Sequence, residues 1–216
     1  MPASSTFVPA SEQDSPIATR LAKGYVGRVR IIGGQFRSRL LKAPRGPHTR
    51  PTTDRVKEAI FSALASQLDF GGLRVLDLYA GTGALGLEAL SRGAAFVTFV
   101  ESDREALKAL EHNVSTLGVG NVVRVVPSTI ERAASRLTGP FDLVFADPPY
   151  EVVARNGFAS VWAQLPATNG LLVLEHGSRD RAPKLPDRAV FAHREYGDTA
   201  ITIYEASLGI LAPSSS

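Results

Sequence analysis

The most chemically specific stretch of the sequence is an acceptor-rich turn, Asp147-Pro148-Pro149-Tyr150. Two consecutive prolines fix the backbone and remove two N–H donors, so the turn offers carbonyl oxygens and a carboxylate beside an aromatic ring. We call this turn, residues 147–150, the acceptor rim. It suits a flat base that carries an exocyclic amine, because Asp147 and the Pro148 carbonyl can accept both amine hydrogens while Tyr150 stacks on the ring. The alternative is a rigid turn at a strand end whose tyrosine only covers the surface.

A glycine-rich turn earlier in the chain indicates a site for a nucleotide-like ligand. The apolar run at residues 73–78 is typical of a buried parallel strand, and it leads through Gly81-x-Gly83-x-x-Gly86 into a helical segment at 84–90. Glycines let backbone N–H groups at a helix N-terminus approach a ligand without a Cβ in the way. The glycine pattern alone is weak evidence, since any tight strand-to-helix turn can use it.

Two carboxylates near this turn narrow the choice of ligand. Glu101 ends a second apolar run, residues 96–100, about twenty residues after Gly81, where an acid can hold ribose hydroxyls. This spacing fits a dinucleotide and S-adenosylmethionine equally, because both place an adenosine at the carboxyl ends of such strands. Asp77, four residues before Gly81, favours a ligand with an ammonium group, since a carboxylate there would repel a pyrophosphate.

The elements that position these residues predict a doubly wound α/β fold. Apolar runs alternate with segments of helical periodicity, with strands at 73–78, 96–100, 122–126, 141–146 and 171–174, and helices at 53–64, 84–90, 103–117, 130–137 and 158–165. This alternation requires a mostly parallel sheet, with the run at 73–78 as its central strand. Two β-rich runs, 189–195 and 200–204, are joined by only four residues, Tyr196-Gly-Asp-Thr199, which predicts an antiparallel hairpin at the end of the chain.

Positive charge is concentrated in one part of the chain. The net charge is only +3, yet residues 15–53 contain nine Lys and Arg and no acid, whereas fifteen Lys and Arg face nineteen Asp and Glu from Asp54 onward. We expect a small β-hairpin in this basic segment, turning at Gly33-Gly34, and a proline-rich loop after it. A basic arm on a mildly acidic body is typical of proteins that bind polyanions such as nucleic acids. The simpler alternative is that the basic segment is a solvated tail. The residues that we expect to bind the polyanion are Arg28, Arg30, Arg37, Arg39, Lys42, Arg45 and Arg50.

Composition excludes several other kinds of protein. The absence of cysteine rules out disulfides and thiolate metal sites, and the four histidines are scattered without ligand spacing, so we expect no metal. No apolar run is long enough to span a membrane and the first residues do not resemble a signal peptide, so we expect a soluble, cytoplasmic protein. No apolar stripe is left over for a subunit interface, so we expect a monomer. The expected organisation is a disordered leader (1–24), a basic hairpin and loop extension (25–50), a catalytic domain (51–208) and a flexible tail (209–216).

Together these motifs resemble known families. Asp77-x-x-x-Gly81-x-Gly83, Glu101 and the acceptor rim are similar to the class I S-adenosylmethionine-dependent methyltransferases that modify exocyclic amines. More narrowly, Arg30-Ile-Ile-Gly-Gly34, the segment Arg50-Pro-Thr-Thr-Asp-Arg-Val-Lys-Glu-Ala-Ile-Phe61 and Tyr196-Gly-Asp-Thr199 resemble the RsmD family of small-subunit ribosomal RNA guanine-N2 methyltransferases. This resemblance implies a Rossmann-like seven-stranded sheet that ends in a reversed hairpin.

The resemblance also implies roles for individual residues. Asp77 would lie near the methionine amino group, Glu101 would bind the ribose hydroxyls and Ser102 would flank the adenine. The residues expected to bind S-adenosylmethionine are Asp77, Tyr79, Gly81, Gly83, Glu101, Ser102, Ser128 and Thr129, and those expected to hold the target guanine are Asp147, Pro148, Pro149 and Tyr150. The implied reaction is direct in-line methyl transfer to guanine N2 in small-subunit ribosomal RNA, within a partly or fully assembled 30S particle.

Other functions share some of these features. DNA adenine-N6 and protein-glutamine methyltransferases have the same acceptor rim, but nothing in this short chain resembles an added DNA-recognition domain. An NAD-dependent oxidoreductase would leave the rim and the basic arm without a role, and a non-catalytic RNA-binding module would leave the glycine turn and its acids without one. Glu175, at the end of the fifth predicted strand, either lines the pocket or caps the strand.

Overall fold

The structure, a computed structural model, describes residues 29–44, 53–154, 157–165 and 170–207. The predicted leader and the predicted tail at 209–216 lie outside these ranges, as do three of the expected polyanion-binding residues, Arg28, Arg45 and Arg50.

A seven-stranded mixed sheet forms the core of the protein. Its strands are β3 (Arg74–Leu78), β4 (Phe96–Glu101), β5 (Val123–Pro127), β6 (Leu143–Ala146), β7 (Leu171–Gly177), β8 (Arg188–Tyr196) and β9 (Thr199–Ala206). Their order is β5-β4-β3-β6-β7-β9-β8, in which β3 to β7 are parallel and β9 is antiparallel to both β7 and β8. The predicted α/β class and the terminal antiparallel hairpin are confirmed.

The prediction that residues 73–78 form the central strand is wrong in one respect. β3 is the third strand of seven and β6 is the middle one, because the terminal hairpin adds two strands on the side of β7. β3 is nevertheless buried on both faces, with Val75, Leu76 and Leu78 fully inaccessible. The strand order also reverses at β3, since β4 and β5 lie on one side of it and β6 and β7 on the other. A crevice at the carboxyl ends of β3 and its neighbours is where ligands bind in such sheets.

Six α-helices connect or flank these strands. They are α1 (Asp54–Ala65), α2 (Ala84–Ser91), α3 (Arg104–Leu117), α4 (Ile130–Ala134), α5 (Tyr150–Ala154) and α6 (Gly157–Trp162), counted over the described residues. Thr53 caps α1 and Asp103 caps α3 by accepting N–H bonds from the first turn, and Gly118 ends α3 in the left-handed conformation. α4 and α6 end three residues before their predicted ends, and α5 was not predicted. In the described part of the chain, no helix combines the length and apolar character needed to cross a membrane.

The helices cover both faces of the sheet. α1, α2 and α3 pack on one face around Phe61, Phe99 and Phe145. α4, α5 and α6 pack on the other face, where Phe158 and Trp162 lie against β3, β6 and β7. Burial of these apolar side chains is the main stabilising contribution to the fold.

The basic segment folds as a short ribbon docked on the first helical layer. We use "the ribbon" for residues 29–44, in which β1 (Val29–Arg30) pairs antiparallel with β2 (Leu40–Leu41). This confirms the predicted hairpin, although its connection is a nine-residue loop rather than a tight turn. Val29, Ile31 and Leu41 are buried in the core beside α1 and α2. The ribbon is therefore packed into the body of the protein.

Buried polar side chains of the helices fasten the ribbon. The Lys57 ammonium donates to the Arg30 carbonyl, and the Glu88 carboxylate accepts the N–H groups of Ile32 (2.7 Å) and Gly33 (2.8 Å). The ribbon backbone approaches α2 so closely that a Cβ on Gly34 would lie 1.7 Å from the Ser91 carbonyl oxygen. Glycine is required there, which explains the Gly33-Gly34 pair better than a hairpin turn does.

Candidate active site

A cleft of about 650 Å³ opens at the carboxyl edge of the parallel strands. Its walls come from the ends of β3, β4, β5, β6 and β7 and from the ribbon. Ten of the predicted site residues line it, namely Asp77, Tyr79, Gly81, Glu101, Ser102, Ser128, Thr129, Asp147, Pro148 and Pro149. The side chain of Tyr150 lies outside the part of the chain that the structure describes. The cleft thus brings together the glycine turn and the acceptor rim, which are far apart in sequence.

The glycine turn gives the cleft a wall of exposed backbone. Gly81 and Gly83 have φ values of 55° and 78°, which non-glycine residues rarely adopt. A Cβ on Gly81 would meet only the Tyr79 carbonyl oxygen, at 3.9 Å, so this position is open. Gly83 does not line the cleft. A Cβ at this position would lie 2.4 Å from Leu110, so the lack of a side chain on Gly83 lets α2 pack on α3. Gly83 shapes the turn from behind, and Thr82 takes its place in the cleft wall.

Asp77 is a buried acid on the floor of the cleft. Its side chain is 2% exposed, and its Oδ2 accepts a hydrogen bond from the Gly86 N–H at 2.9 Å. Burial raises the pKa of Asp77 to about 8, with a further upward contribution from the Glu101 charge and an opposing one from the Gly86 hydrogen bond. A ligand ammonium group in the cleft would restore the charged form.

Glu101 joins three segments around the cleft. Its Oε2 accepts from the Gly81 N–H at 2.7 Å, and its Oε1 accepts from Ser102 (2.7 Å) and Asp103 (2.8 Å). A carboxylate offers about four acceptor positions, so one stays available to a hydroxyl in the cleft. The backbone of Glu101 also accepts from Ser128 N–H at 2.9 Å, which fixes the end of β5 beside it.

Tyr79 has a buried hydroxyl that lacks a hydrogen-bond partner among the described residues. Its backbone is in the left-handed region, with φ of 56°, which places the ring in the cleft wall. Burial, followed by the nearby Glu131 charge, raises the pKa of Tyr79 to about 12, so the hydroxyl stays protonated. An unsatisfied buried polar group costs about 1–3 kcal/mol, a cost that a ligand acceptor would remove.

The acceptor rim follows β6 directly. The Asp147 N–H points at the Leu78 carbonyl, 3.5 Å away, which holds the rim beside the end of β3. Burial raises the pKa of Asp147 well above its ordinary value, and the charges of Glu175 and Asp77 raise it further. Glu175 lines the cleft, which decides between its two predicted roles. Six acidic residues line the cleft, and their carboxyl groups favour ligands that donate hydrogen bonds or carry positive charge.

The ribbon forms another wall of the cleft and carries basic side chains on its outside. Val29, Ala43 and Pro44 line the cleft, whereas Arg37, Arg39 and Lys42 are exposed. Arg30, also expected to bind the polyanion, pairs with Asp54, with its Nε 2.7 Å from Oδ2, while its side chain stays 53% exposed.

Asn113 is a polar residue of this site that the motifs do not reveal. Asn113 is 2% exposed and hydrogen-bonds both the ribbon and the glycine turn. The available signal was its position on α3, three residues after Leu110 and one before Val114, inside an apolar stripe. A polar residue in such a stripe must find buried partners.

Comparison with known proteins places the chain in a family. The family described as "Conserved hypothetical protein 95" matches residues 29–205. Ribosomal RNA small subunit methyltransferase D of Escherichia coli (strain K12) is 40% identical over 187 residues, which cover 83% of this chain and 90% of that protein.

Solved structures agree with this assignment. The Escherichia coli protein yhhF, a candidate methyltransferase, is 36% identical and superimposes with a TM-score of 0.72 over 83% of this chain and 98% of its own. A hypothetical protein of Thermus thermophilus is 34% identical, with a TM-score of 0.68 over 82% of this chain and 99% of its own. The chain therefore belongs to the Conserved hypothetical protein 95 family, the RsmD family of ribosomal RNA methyltransferases.

Proposed function

We propose that this protein transfers a methyl group from S-adenosylmethionine to the exocyclic N2 amine of a guanine in small-subunit ribosomal RNA. The observation that carries the proposal is the meeting, in one cleft, of the glycine turn with its acids and the acceptor rim at Asp147 and Pro148. Family membership supports the methyltransferase activity. In this proposal residues 51–208 catalyse the reaction, and residues 25–50 bind RNA.

The residues of the cleft fit S-adenosylmethionine. Asp77 suits the ammonium group, because a nearby cation would stabilise a carboxylate that burial otherwise keeps protonated. Glu101 has an acceptor position left for a ribose hydroxyl, and the Tyr79 hydroxyl lacks a partner among the described residues. Thr129 precedes α4 without a side-chain capping bond, so its hydroxyl is available to the ligand. When bound, S-adenosylmethionine supplies an electrophilic methyl group on a sulfonium.

The acceptor rim would orient and activate the guanine amine. The N2 lone pair is delocalised into the ring, so the free amine is a poor nucleophile. Hydrogen bonds from the amine to Asp147 and to the Pro148 carbonyl favour the pyramidal amine of the transition state over the flat ground state. Alignment of the reacting atoms in the cleft can contribute roughly 7–11 kcal/mol more.

Asp147 can also take the proton that the amine loses when it gains a methyl group. Its pKa is raised well above the ordinary value by burial and by the neighbouring acids, which makes its carboxylate a stronger base. A general base works best when its pKa lies near the working pH. No covalent bond to the enzyme is needed in this scheme.

The ribbon would bind RNA phosphates. Arg37, Arg39 and Lys42 are exposed on a ribbon that is fastened beside the cleft, so phosphates bound there would flank the target base. The base must leave its stack to enter the cleft, at a cost of a few kcal/mol that phosphate binding can offset. We expect the substrate to be a partly or fully assembled small subunit, met by a monomeric enzyme in the cytoplasm.

The class of substrate can be tested directly. Radiolabelled S-adenosylmethionine would be incubated with the wild-type protein and small ribosomal subunits that lack their natural modifications, and the label followed through ribonuclease, deoxyribonuclease and protease digestion. We expect label that only ribonuclease releases, and at least a hundred-fold less of it with Asp147→Ala. Glu111→Ala, which removes an exposed carboxylate of α3, is the matched control and should act like wild type. Label in protein or in added DNA would contradict the proposal.

A further inference from the structure

Asn113 joins the ribbon to the glycine turn through its side-chain amide. Its Oδ1 accepts the Lys42 N–H at 2.7 Å, and its Nδ2 donates to the carbonyls of Lys42 at 3.1 Å and Thr82 at 3.0 Å. All three bonds go to backbone atoms of segments that line the cleft or directly precede its lining. The 2% exposed side chain thus uses both of its amide hydrogens and its oxygen between two walls of one cleft.

The connection made by Asn113 extends on both sides through the neighbouring residues of the chain. Thr82 lies between Gly81 and Gly83, and the Gly81 N–H donates to Glu101, the acid assigned to the ribose. On the other side, Lys42 is followed by Ala43 and Pro44, which line the cleft. A continuous path of short contacts therefore runs from the cofactor acid to the basic ribbon.

An amide is well suited to this position and few other side chains are. Truncation of Asn113 would leave one N–H and two carbonyls, all partly buried, without these partners. The two backbone segments, at residue 42 and residue 82, are distant in sequence. Both are hydrogen-bonded to the same Asn113 side chain. A shift of either segment must therefore be accommodated by the other.

We propose that Asn113 is a positioning residue that couples cofactor binding at the glycine turn to RNA binding on the ribbon. This inference rests on the proposed function. Cofactor binding would fix the turn, and through Asn113 would fix Lys42 and the ribbon in the conformation that binds RNA. Because such coupling is reciprocal, RNA would raise the affinity for the cofactor by the same factor.

The first test measures this factor. The dissociation constant for unmodified small ribosomal subunits would be measured with and without saturating S-adenosylhomocysteine, which cannot react. We expect the cofactor product to tighten binding about five-fold or more in the wild type, the lower end of typical coupling, and by a factor close to one in Asn113→Ala. An unchanged factor in Asn113→Ala would overturn the inference.

A matched control separates coupling from general destabilisation. Val114→Ala removes buried volume from the next position of α3 without removing a hydrogen bond, and should keep the wild-type factor. If Asn113→Ala does not fold, Asn113→Ser serves instead, since its hydroxyl is too short to bridge both segments. Loss of coupling in Val114→Ala as well would show a merely structural role and overturn the inference.

A second test needs no RNA. Amide hydrogen exchange of residues 29–44 would be followed on addition of S-adenosylhomocysteine. We expect slower exchange at Lys42 in the wild type and no change in Asn113→Ala. Binding of S-adenosylhomocysteine without protection of the ribbon would overturn the coupling alone, whereas no binding at all would overturn the proposed function and the coupling with it.

Discussion

The Glu101 carboxylate accepts a 2.7 Å hydrogen bond from the backbone N–H of Gly81, which joins the carboxyl ends of β4 and β3. The same side chain holds the N–H groups of Ser102 and Asp103 at the start of α3. Glu101 therefore organises the glycine turn through bonds within the protein itself. Preorganisation of this kind reduces the cost of ordering the site when it binds.

Replacement of Glu101 should consequently weaken the cofactor site in two ways. In Glu101→Gln one oxygen becomes an N–H donor that faces backbone N–H groups, and the charge that attracts them is lost. We expect S-adenosylhomocysteine to bind about ten- to a hundred-fold more weakly by calorimetry, equivalent to roughly 1.4–2.8 kcal/mol. Glu105→Gln, on the exposed side of α3, should leave the affinity unchanged. Equal affinities for Glu101→Gln and wild type would show that this acid does not act on the cofactor.

Asp77 should make the ligand-free protein less stable as the pH rises. The pKa of Asp77 is about 8 in the fold, against about 4 in an unfolded chain, so its contribution to stability is complete below pH 4 and is lost progressively up to pH 8. Asp77→Asn cannot ionise, and its amide oxygen can still accept the Gly86 N–H.

The Tm of Asp77→Asn minus the Tm of the wild type should therefore increase by about 5 °C or more between pH 4 and pH 8, as measured by thermal unfolding. Asp69→Asn, an exposed acid, is the control for a general charge effect. A pH-independent difference would contradict the raised pKa. Asp77→Asn should also lose most of the affinity for S-adenosylhomocysteine. This loss would show that Asp77, although it destabilises the fold at higher pH, binds the ligand.

Methyl transfer should accelerate with pH because Asp147 must be ionised to accept the amine hydrogens. Burial and the charges of Glu175 and Asp77 raise the pKa of Asp147. At lower pH, therefore, the Asp147 carboxyl is protonated in a large fraction of the enzyme molecules. At saturating cofactor, the single-turnover rate should rise about tenfold per pH unit below that pKa and then level off. Asp147→Asn should be slow at every pH. A flat profile in the wild type would contradict the role of Asp147 as the amine acceptor.

The ribbon arginines should affect RNA binding and leave the cofactor site unchanged. Arg37→Ala combined with Arg39→Ala should weaken binding to small ribosomal subunits and reduce the slope of log affinity against log salt by about 1.4–1.8 in total. The affinity for S-adenosylhomocysteine should stay at the wild-type value. Lys108→Ala, an exposed lysine of α3 outside the ribbon, is the control. An unchanged salt slope in the double variant would assign RNA binding to other residues.

Sequence reasoning predicted the parts of this protein that depend on local patterns. The strand-turn-helix around Gly81, the helix starts near residues 53 and 103 and the terminal hairpin follow from periodicity and connection length, and each is confirmed. Most of the predicted cleft residues lie together because carboxyl ends of parallel strands share one edge of the sheet.

The docking of the ribbon could not be predicted in the same way. It depends on buried polar groups, Lys57, Glu88 and Asn113, whose partners on the ribbon lie at least 27 residues away in sequence. A sequence shows such residues as polar positions within apolar helix faces, but it does not show which distant backbone they bind. For the same reason the sequence does not show that Arg30 pairs with Asp54, although its half-exposed side chain remains a predicted polyanion-binding residue.

The identity of the methylated nucleoside tests most directly whether Asp147 and the Pro148 carbonyl hold a guanine amine. Ribosomal RNA labelled by the wild-type enzyme would be digested completely and its nucleosides separated by chromatography with mass detection. We expect N2-methylguanosine with the wild type and none with Asp147→Ala. Label in N6-methyladenosine, or in any nucleoside other than N2-methylguanosine, would contradict the assignment of the acceptor rim to the guanine amine.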